Sequence, residues 1–348
     1  MNEENLVYHY CSMQSFYNIF NSKELWLSDI LEMNDGDEMI LLLEGFKEII
    51  LQEYKKNPFK IQTEEKVNNK IIELSQEDVY NKIELFYDKY IYDFTHGGFL
   101  KQCAFIACFS RKNDLLSQWC MYANDAKGVA ISFNVDYLQR YSHENKNFDF
   151  IKVKYINEQE RESIQRKLAD EFLLSFKEEL PKGVYNSIMY PEKIKKSIGC
   201  DIYYSEDDKI EILFENLYDK CFTSILKESI KYKNDYFKQE DEWRLIYYQD
   251  DMFTDRPPET EIEKKQYNTI KYRLNGEKLI KYIKISLDEI VKGPQTKIYS
   301  IEGSPKVDVV FNYIFLGSKN INIPFEVMAF LTKQGYTFIV DCSKIPYK

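Results

Sequence analysis

Apolar and polar residues near the middle of the chain follow a strand–helix–strand pattern. Phe105–Phe109 is an apolar run of strand length. Leu115, Trp119 and Tyr122 then recur at i, i+4 and i+7, a spacing that places them on one face of a helix. Val129–Phe133 is a second apolar run. Two strands joined by a helix within about 30 residues predict a compact βαβ unit.

Polar residues between these segments indicate how the unit is connected. Ser110 ends the first strand with a hydroxyl. Asn113 or Asp114 is suited to capping the helix, because a short polar side chain can accept a hydrogen bond from a free backbone amide. Gly128 precedes the second strand and is expected to adopt a positive φ.

The same periodicities predict further elements along the chain. Strands are expected at Leu6–Cys11, Trp26–Ser28, Phe148–Tyr155, Glu242–Tyr248, Tyr267–Leu274, Lys278–Ile285, Val307–Phe315 and Tyr336–Cys342. Helices are expected at Met13–Asn21 after the cap Ser12, Glu38–Phe94, Tyr137–Tyr141, Glu158–Leu180, Ile210–Tyr236, Ser286–Ile290 and Phe325–Gln334. Within Glu38–Phe94, the polar middle at Tyr54–Asn69 predicts a loose connection. Pro181 is expected to end the helix at Glu158–Leu180. The order predicts one α+β domain over residues 1–348, with mostly helical insertions at about 38–95 and 156–236.

Composition supports an ordered globular protein. The 348 residues are 44% hydrophobic and 16% aromatic, which is ample for a buried core. Only 12 glycines and 9 prolines are present, so the chain is not rich in linkers. The 47 basic and 57 acidic side chains give a net charge of −10. That balance argues against a broadly basic nucleic-acid surface, while leaving a local basic groove open.

Cysteine usage and hydropathy predict a cytoplasmic protein. Seven cysteines without a CxxC pair are typical of reduced thiols in the cytosol. The acidic start of the chain lacks the pattern of a signal peptide. No apolar run approaches the roughly 20 residues that span a membrane.

Common catalytic motifs are absent from the sequence. There is no GxSxG, no P-loop, no GxGxxG after a strand and no HExxH. The acidic turn at 34–38 lacks the spacing of a calcium loop, so no metal is expected. Chemistry would therefore depend on a few polar groups carried by strands.

Glu242 is the first of these groups. On an extended strand Glu242, Arg244 and Ile246 point to one side, so the acid and the Arg lie next to each other. A structural ion pair and a functional carboxylate both fit this pattern. His9 lies between two tyrosines on the N-terminal strand, where it is either a ligand contact or a hydrogen-bonded structural residue. Trp119 and Tyr122 are candidates for stacking on a flat ligand or for the core.

These residues, taken in order, resemble a bacterial family of unknown function, DUF2971. The residues that carry the resemblance are His9-Tyr10, Trp26-Leu27-Ser28, Asn34-Asp35 with Glu38, Ala107–Ser110, Ser117-Gln118-Trp119 with Tyr122, Gly128-Val129-Ala130, Glu242-Trp243-Arg244, Lys278–Pro294 and Ser343–Tyr347. Gly36 and Asp37 stand where the family usually has a proline and an aromatic residue.

The layout is also distantly similar to the ADP-ribosyltransferase fold of the poly-ADP-ribose polymerase and diphtheria-toxin type. That resemblance implies a split mixed β-sheet core and a His-Tyr-Glu signature, which His9, Tyr122 and Glu242 would supply as catalytic residues. Enzymes of this fold bind NAD as substrate and break its bond between ribose and nicotinamide, without a metal.

The resemblance assigns further NAD contacts residue by residue. Glu242 would accept a hydrogen bond from the 2′-hydroxyl of one ribose, His9 would contact the other ribose, and Tyr10 would contact its surroundings. Tyr122 and Trp119 would stack on nicotinamide, and Arg244 would contact the pyrophosphate or orient Glu242. Ser28, Ser110 and Asn34 would complete the pocket.

Three functions remain open from the sequence. The first is an ADP-ribosyltransferase-like effector, a toxin or anti-phage defence protein that modifies a nucleic acid or a protein. The second is an NAD glycohydrolase with water as acceptor. The third is a non-catalytic module that binds a nucleotide or a partner. The helical insertions are candidate surfaces for a regulatory partner or a homodimer.

Overall fold

The structure, a computed structural model, describes residues 5–32, 40–62, 73–95, 103–188, 217–218, 221–249, 269–275, 277–291 and 312–347. Strands within these ranges are β1 Leu6–Cys11, β2 Glu24–Asp29, β3 Ile61–Gln62, β4 Glu73–Leu74, β5 Cys103–Ser110, β6 Val129–Asn134, β7 Phe148–Lys152, β8 Lys154–Ile156, β9 Tyr232–Asn234, β10 Glu242–Gln249, β11 Lys271–Asn275, β12 Lys278–Ser286, β13 Asn312–Leu316 and β14 Phe338–Cys342.

Helices lie between and around the strands. They are α1 Met13–Ser22, α2 Phe46–Lys56, α3 Gln76–Thr95, α4 Leu116–Met121, α5 Val135–Glu144, α6 Glu158–Ile188, α7 Leu287–Val291 and α8 Pro324–Lys333. Residues 221–229 are also helical, and two 3₁₀ helices occupy Ile30–Glu32 and Asp235–Glu240. The predicted α+β class is confirmed at this level: one large mixed sheet with helices packed around it.

Ten of the described strands form one sheet. Its main path runs β11-β12-β2-β5-β1-β6-β13-β14, and β10 and β7 join it through β5. Neighbours are antiparallel except β13 and β14, which are parallel. The βαβ unit predicted around residues 105–133 is present, with β1 between its two strands: β5 and β6 both pair antiparallel with β1.

Two large apolar cores cover the two faces of this sheet, and a smaller third cluster contains Tyr8, Tyr10 and Trp119. Alternation along β5 puts Phe105, Ala107 and Phe109 into one core, with α1, α5 and α8. Ala104 and Ile106 face the other core, which α2, α3 and α6 build. The predicted Ser12 cap of α1 is confirmed, since its hydroxyl accepts from the Ser15 amide at 3.1 Å.

Several local expectations are corrected by the structure. The long helix α6 continues through Pro181 to Ile188. A proline removes only one hydrogen bond of the helical ladder, and bonds on either side hold the rest of a 31-residue helix. The region predicted to be helical from Glu38 to Phe94, with a polar connection at Tyr54–Asn69, contains two helices, α2 and α3, and the short β3–β4 pair lies between them.

The connections of the central unit also differ from expectation. Leu115, not Asn113 or Asp114, occupies the N-cap position of α4, and no side chain caps this helix. The Asp114 carboxylate instead accepts from the Trp119 indole N–H at 2.7 Å. Gly128 does not have a positive φ. Its role is close packing: a Cβ there would lie 2.1 Å from the Cys11 carbonyl oxygen.

The predicted helix at Ile210–Tyr236 ends early. Its described part stops at residue 229, and β9 follows, pairing in parallel with β8. The predicted starts of two strands, Tyr267 and Val307, lie outside the described residues. The described parts of these strands are β11, from Lys271, and β13, from Asn312. In the part of the chain that the structure describes, no helix combines the length and the apolar character that crossing a bilayer requires.

Candidate active site

The central feature of the site is a split in the sheet beside β5. A strand has two edges, and β10 pairs with β5 along one of them from Glu242↔Ser110 to Gln249↔Cys103. The other edge is shared: β2 pairs at Phe105 and Ile106, whereas β1 pairs at Ser110. Among the described strands, none therefore lies beside residues 107–109 on that edge. The ends of β1 and β2 separate there, joined by α1.

A cavity of about 530 Å³ lies at this split, within the size range usual for small-molecule sites. Residues of β1, α1, β2 and β5 form most of its wall. The predicted site residues that line it are His9, Tyr10, Ser28, Ser110, Tyr122 and Glu242. One cavity therefore collects residues from five separate parts of the chain.

Glu242 is the buried carboxylate at one end of the cavity. Only 6% of the residue is exposed. Arg244 Nε donates to its Oε1 at 2.8 Å, and Lys233 Nζ lies 3.3 Å from its Oε2. Burial raises the pKa of Glu242, but the charges of Arg244 and Lys233 and a hydrogen bond from Cys108 outweigh it, so that the pKa lies below the usual value. The carboxylate is therefore ionised at neutral pH.

A second carboxylate completes this cluster. Glu240 is also buried and accepts from Lys233 Nζ at 2.8 Å. Two acids and two cations thus form a charge-balanced group at the start of β10, which we call the buried quartet: Lys233, Glu240, Glu242 and Arg244. Charges removed from water need partners of this kind to remain ionised.

The neighbouring strand β9 holds Lys233 in this position. The β8 register pairs Tyr155 with Lys233, and the Tyr155 hydroxyl accepts from the Glu242 amide at 2.8 Å. Burial raises the pKa of Tyr155 to about 12, so this hydroxyl is protonated. Ser110, at the end of β5, also holds the start of β10 in place, because its hydroxyl donates to the Glu240 carbonyl at 2.6 Å.

His9 reaches the cavity from the opposite face of the sheet. Tyr8 pairs with Ser110, and Ser110 with Glu242, so these three share one face and His9 lies on the other. Because β1 leaves β5 after Tyr8, the imidazole turns into the split. There Nδ1 donates to the Cys108 carbonyl oxygen at 2.9 Å, which occupies part of the open edge of β5.

The tautomer of His9 follows from this contact. Burial lowers the pKa of His9, so the ring is neutral near pH 7. With the proton on Nδ1 for the Cys108 carbonyl, Nε2 carries a lone pair and is a hydrogen-bond acceptor. The ring also contacts Phe109, with centroids 5.8 Å apart.

Tyr10 and Trp119 support the wall on the α4 side. The Tyr10 hydroxyl donates to the Lys112 carbonyl at 2.8 Å and accepts from the Leu115 amide at 3.1 Å. Trp119 packs edge-on against Tyr10 with ring centroids 4.8 Å apart, and it is 1% exposed. Trp119 is therefore a core residue behind the wall, whereas Tyr122, one turn later, lines the cavity.

Ser28 and Arg273 mark the other end of the cavity. Arg273 Nη2 donates to Ser28 Oγ at 3.0 Å, across the intervening strand β12. Both residues line the cavity. Arg244, the predicted pyrophosphate contact, is 1% exposed and does not line it; its Nη1 donates instead to the Ile230 carbonyl at 2.7 Å. Of its two predicted roles, the geometry supports orienting Glu242.

Sequence analysis did not identify three residues that line the cavity, Glu240, Lys233 and Arg273. Glu240 lies two positions before Glu242, a spacing that signals a shared direction. Lys233 falls in a stretch predicted to be helical, and Arg273 has no local signal. Asn34 and the acidic turn at 34–38 lie outside the described residues. No group of three or more potential metal ligands is found among the described residues.

Comparison with known families agrees with part of the sequence reading. A family model described as "Protein of unknown function (DUF2971)" matches residues 118–245. This match confirms the predicted resemblance to DUF2971 over residues 118–245. The DUF2971 match includes Trp119, Tyr122, Glu242 and Arg244, whereas His9, Tyr10, Ser28, Ser110 and Asn34 precede it. No curated protein and no solved structure matches the chain.

Proposed function

We propose that this protein is an NAD-dependent ADP-ribosyltransferase-like effector that transfers ADP-ribose to a nucleic acid or a protein. The observation that carries the proposal is the shared cavity: an ionised carboxylate, a neutral imidazole and an aromatic hydroxyl, on Glu242, His9 and Tyr122, face one space of about 530 Å³. The split sheet that creates this space is the feature expected from an ADP-ribosyltransferase-like fold.

Glu242 is suited to the electrostatic part of this reaction. Breaking the bond between C1′ of ribose and the nicotinamide nitrogen sends the electron pair to nicotinamide and leaves positive charge on the ribose. A fixed carboxylate stabilises that developing charge and accepts a hydrogen bond from the 2′-hydroxyl. The acceptor then attacks C1′ and loses its proton, so that NAD and acceptor become ADP-ribosylated acceptor, nicotinamide and a proton.

Hydrogen-bond capacity at Glu242 leaves room for that contact. A carboxylate has about four lone-pair positions. Arg244, Lys233 and Cys108 supply three donors. The remaining position can receive one hydroxyl, and no more. His9 Nε2 can accept from a second ribose hydroxyl, and the Tyr122 ring can pack on the flat nicotinamide.

A second candidate has its own support. Three donors already surround Glu242, and the buried quartet is charge-balanced, which are features of a structural network. A non-catalytic nucleotide-binding module would use the same cavity without turnover. An NAD glycohydrolase differs only in the acceptor, with water in its place.

Glu242→Gln tests the proposal directly. We expect nicotinamide release from labelled NAD, in the presence of a cell lysate, to fall about 10²–10³-fold, the usual effect of losing one transition-state charge contact. Glu144→Gln removes an exposed carboxylate of α5 and serves as the matched control. Label bound to macromolecules indicates transfer, whereas free ADP-ribose indicates hydrolysis.

The result that overturns an enzymatic function is equally clear. If the wild type releases no nicotinamide, or if Glu242→Gln releases it at the wild-type rate, the enzymatic proposal is wrong. The non-catalytic binding module is then the remaining function. Circular dichroism and a thermal melt of each variant establish that loss of activity is not loss of fold.

A further inference from the structure

We propose that Arg273 and Ser28 form an anion subsite, at the end of the cavity away from Glu242, that binds the pyrophosphate of a dinucleotide. The identity of the ligand rests on the proposed function, whereas the preference for an anion rests on the side chains themselves. The sequence assigned the pyrophosphate to Arg244, whose guanidinium is closed into the buried quartet.

The strand register places Arg273 on the same sheet face as Glu242. Arg273 pairs with Ile280, and Ile280 is two residues from Tyr282, which pairs with Ser28. Ser28 pairs with Ile106 of β5, four residues before Ser110. Directly paired residues share a face, as do residues two apart on one strand. All of these side chains, and Glu242 opposite Ser110, therefore point to one side.

The distance between the two ends of the cavity suits a ligand that carries two recognised groups, one bound at each end. Ser28 and Glu242 flank opposite edges of β5, four residues apart along it. With a rise of ~3.3 Å per residue and ~4.8 Å between strands, their backbones are roughly 16 Å apart. Both side chains extend into one cavity, so a ligand with an anionic group and a ribose some bonds apart can reach both.

Arg273 retains donors for such an anion. Its Nη2 contacts only a neutral hydroxyl, and its buried Nε has no hydrogen-bond partner in the described chain. No carboxylate of the described residues forms an ion pair with it. A guanidinium is a planar fork of five donors that matches phosphate oxygens. Because Nε is buried, an anion in the cavity would be bound through the Nη groups.

A neighbouring wall residue adds to this donor excess. Trp26 lines the cavity on β2, two residues before Ser28, and its buried indole N–H also lacks a partner among the described residues. Buried donors are normally hydrogen-bonded, so two N–H groups without a partner in the described chain make this end of the cavity richer in donors than in acceptors. The other end, by contrast, offers a carboxylate and a neutral imidazole.

The experiment measures binding by calorimetry for the wild type, Arg273→Gln, Glu242→Gln and the matched charge control Arg140→Gln. Arg140 lies on α5, away from the cavity. The ligands are ADP-ribose, inorganic pyrophosphate and adenosine. We expect Arg273→Gln to weaken ADP-ribose and pyrophosphate at least about tenfold, as for a lost charged hydrogen bond, and to leave adenosine unchanged. Arg140→Gln should match the wild type.

Different outcomes separate this inference from the proposed function. Wild-type protein that binds no diphosphate compound, or Arg273→Gln that binds ADP-ribose as tightly as the wild type, overturns the subsite. Arg273-dependent binding of ADP-ribose without any release of nicotinamide from NAD supports the subsite and overturns the enzyme. If Arg273→Gln turns over NAD with an unchanged KM, the enzymatic function is supported and the subsite is overturned. Thermal melts confirm folding of each variant.

Discussion

The two ends of the cavity differ in how their charges are satisfied. At one end Glu242 belongs to a buried quartet in which each charged group contacts an opposite charge. At the other end Arg273 contacts only the Ser28 hydroxyl, and its Nε has no partner within the described residues. One end is closed by the protein's own side chains, and the other is left with spare donors.

This difference separates positioning from binding. A closed network fixes a carboxylate in place and keeps it ionised, which is what stabilisation of a developing cation requires. It also means that the network's members depend on one another for stability. An open donor contributes little to the free energy of folding and is available to a ligand. Mutations at the two ends should therefore affect different measurements.

The largest effect on stability is expected for Lys233→Met. The variant leaves two buried carboxylates, on Glu240 and Glu242, without the ammonium between them. Removal of one partner from a buried ion pair costs about 3–5 kcal/mol, and we expect that loss in the free energy of unfolding by urea. Lys231→Met is the control, because its pair with Glu228 is partly exposed and contributes at most ~1 kcal/mol.

A double variant sharpens this prediction. Lys233→Met with Glu240→Gln removes one of the two opposing carboxylates, and should recover part of the lost stability. If the free energy of unfolding of Lys233→Met lies within about 1 kcal/mol of the wild-type value, the quartet is not a closed unit. Removing one partner from a buried ion pair costs more than that.

The pH dependence of unfolding should resolve the two titratable groups of the cavity. Glu242 and His9 both have folded-state pKa values below their usual 4.5 and 6.5. For each, the unfolded chain binds more protons just below that value, so the free energy of unfolding falls as pH falls through the folded pKa. One unit of pKa difference corresponds to about 1.4 kcal/mol.

Two variants show which residue causes the loss of stability in each range of pH. His9→Gln should flatten the slope just below pH 6.5, whereas Glu242→Gln should flatten it below pH 4.5. Urea midpoints measured from pH 7.5 down to about pH 3 give the two slopes. An unchanged slope below 6.5 in His9→Gln would show that the imidazole is exposed to water rather than enclosed in the split.

Tyr10→Phe should have a smaller effect, confined to the wall between the two ends. The hydroxyl joins the Lys112 carbonyl and the Leu115 amide, and so holds the chain that leads into α4. Its loss should cost about 1 kcal/mol in the free energy of unfolding. Because α4 leads to Tyr122, ligand affinity should also weaken. Tyr17→Phe, on the exposed side of α1, is the control and should change neither measurement.

The features that the sequence predicts are those whose contacting residues lie close together along the chain. Alternation identified β5 and β10 and put Glu242 and Arg244 on one side, because side-chain direction is local to a strand. The Ser12 cap and the proline at the start of α8 are also local signals. The buried quartet is not: Lys233 reaches Glu242 only because β9 pairs with β8.

The same reasoning explains the errors at Gly128 and Arg273. The sequence suggested a backbone conformation for Gly128, but the constraint comes from the Cys11 carbonyl, more than a hundred residues away. Arg273 enters the cavity through the β11–β12–β2 register, which no local pattern reveals. Short-range patterns therefore predicted the elements, and long-range pairing determined which residues meet.

The smallest effect on stability is expected for Arg273→Gln. If the open end contributes little to folding, removal of its charge should change the free energy of unfolding by no more than about 0.5 kcal/mol in the absence of ligand. The direction can even be favourable, because a buried Nε without a partner is itself a cost. Urea unfolding with and without ADP-ribose makes the measurement: at one ligand concentration, ADP-ribose should stabilise the variant less than it stabilises the wild type. A loss of several kcal/mol without ligand would contradict the contrast, since Arg273 would then be as closed into the fold as Lys233.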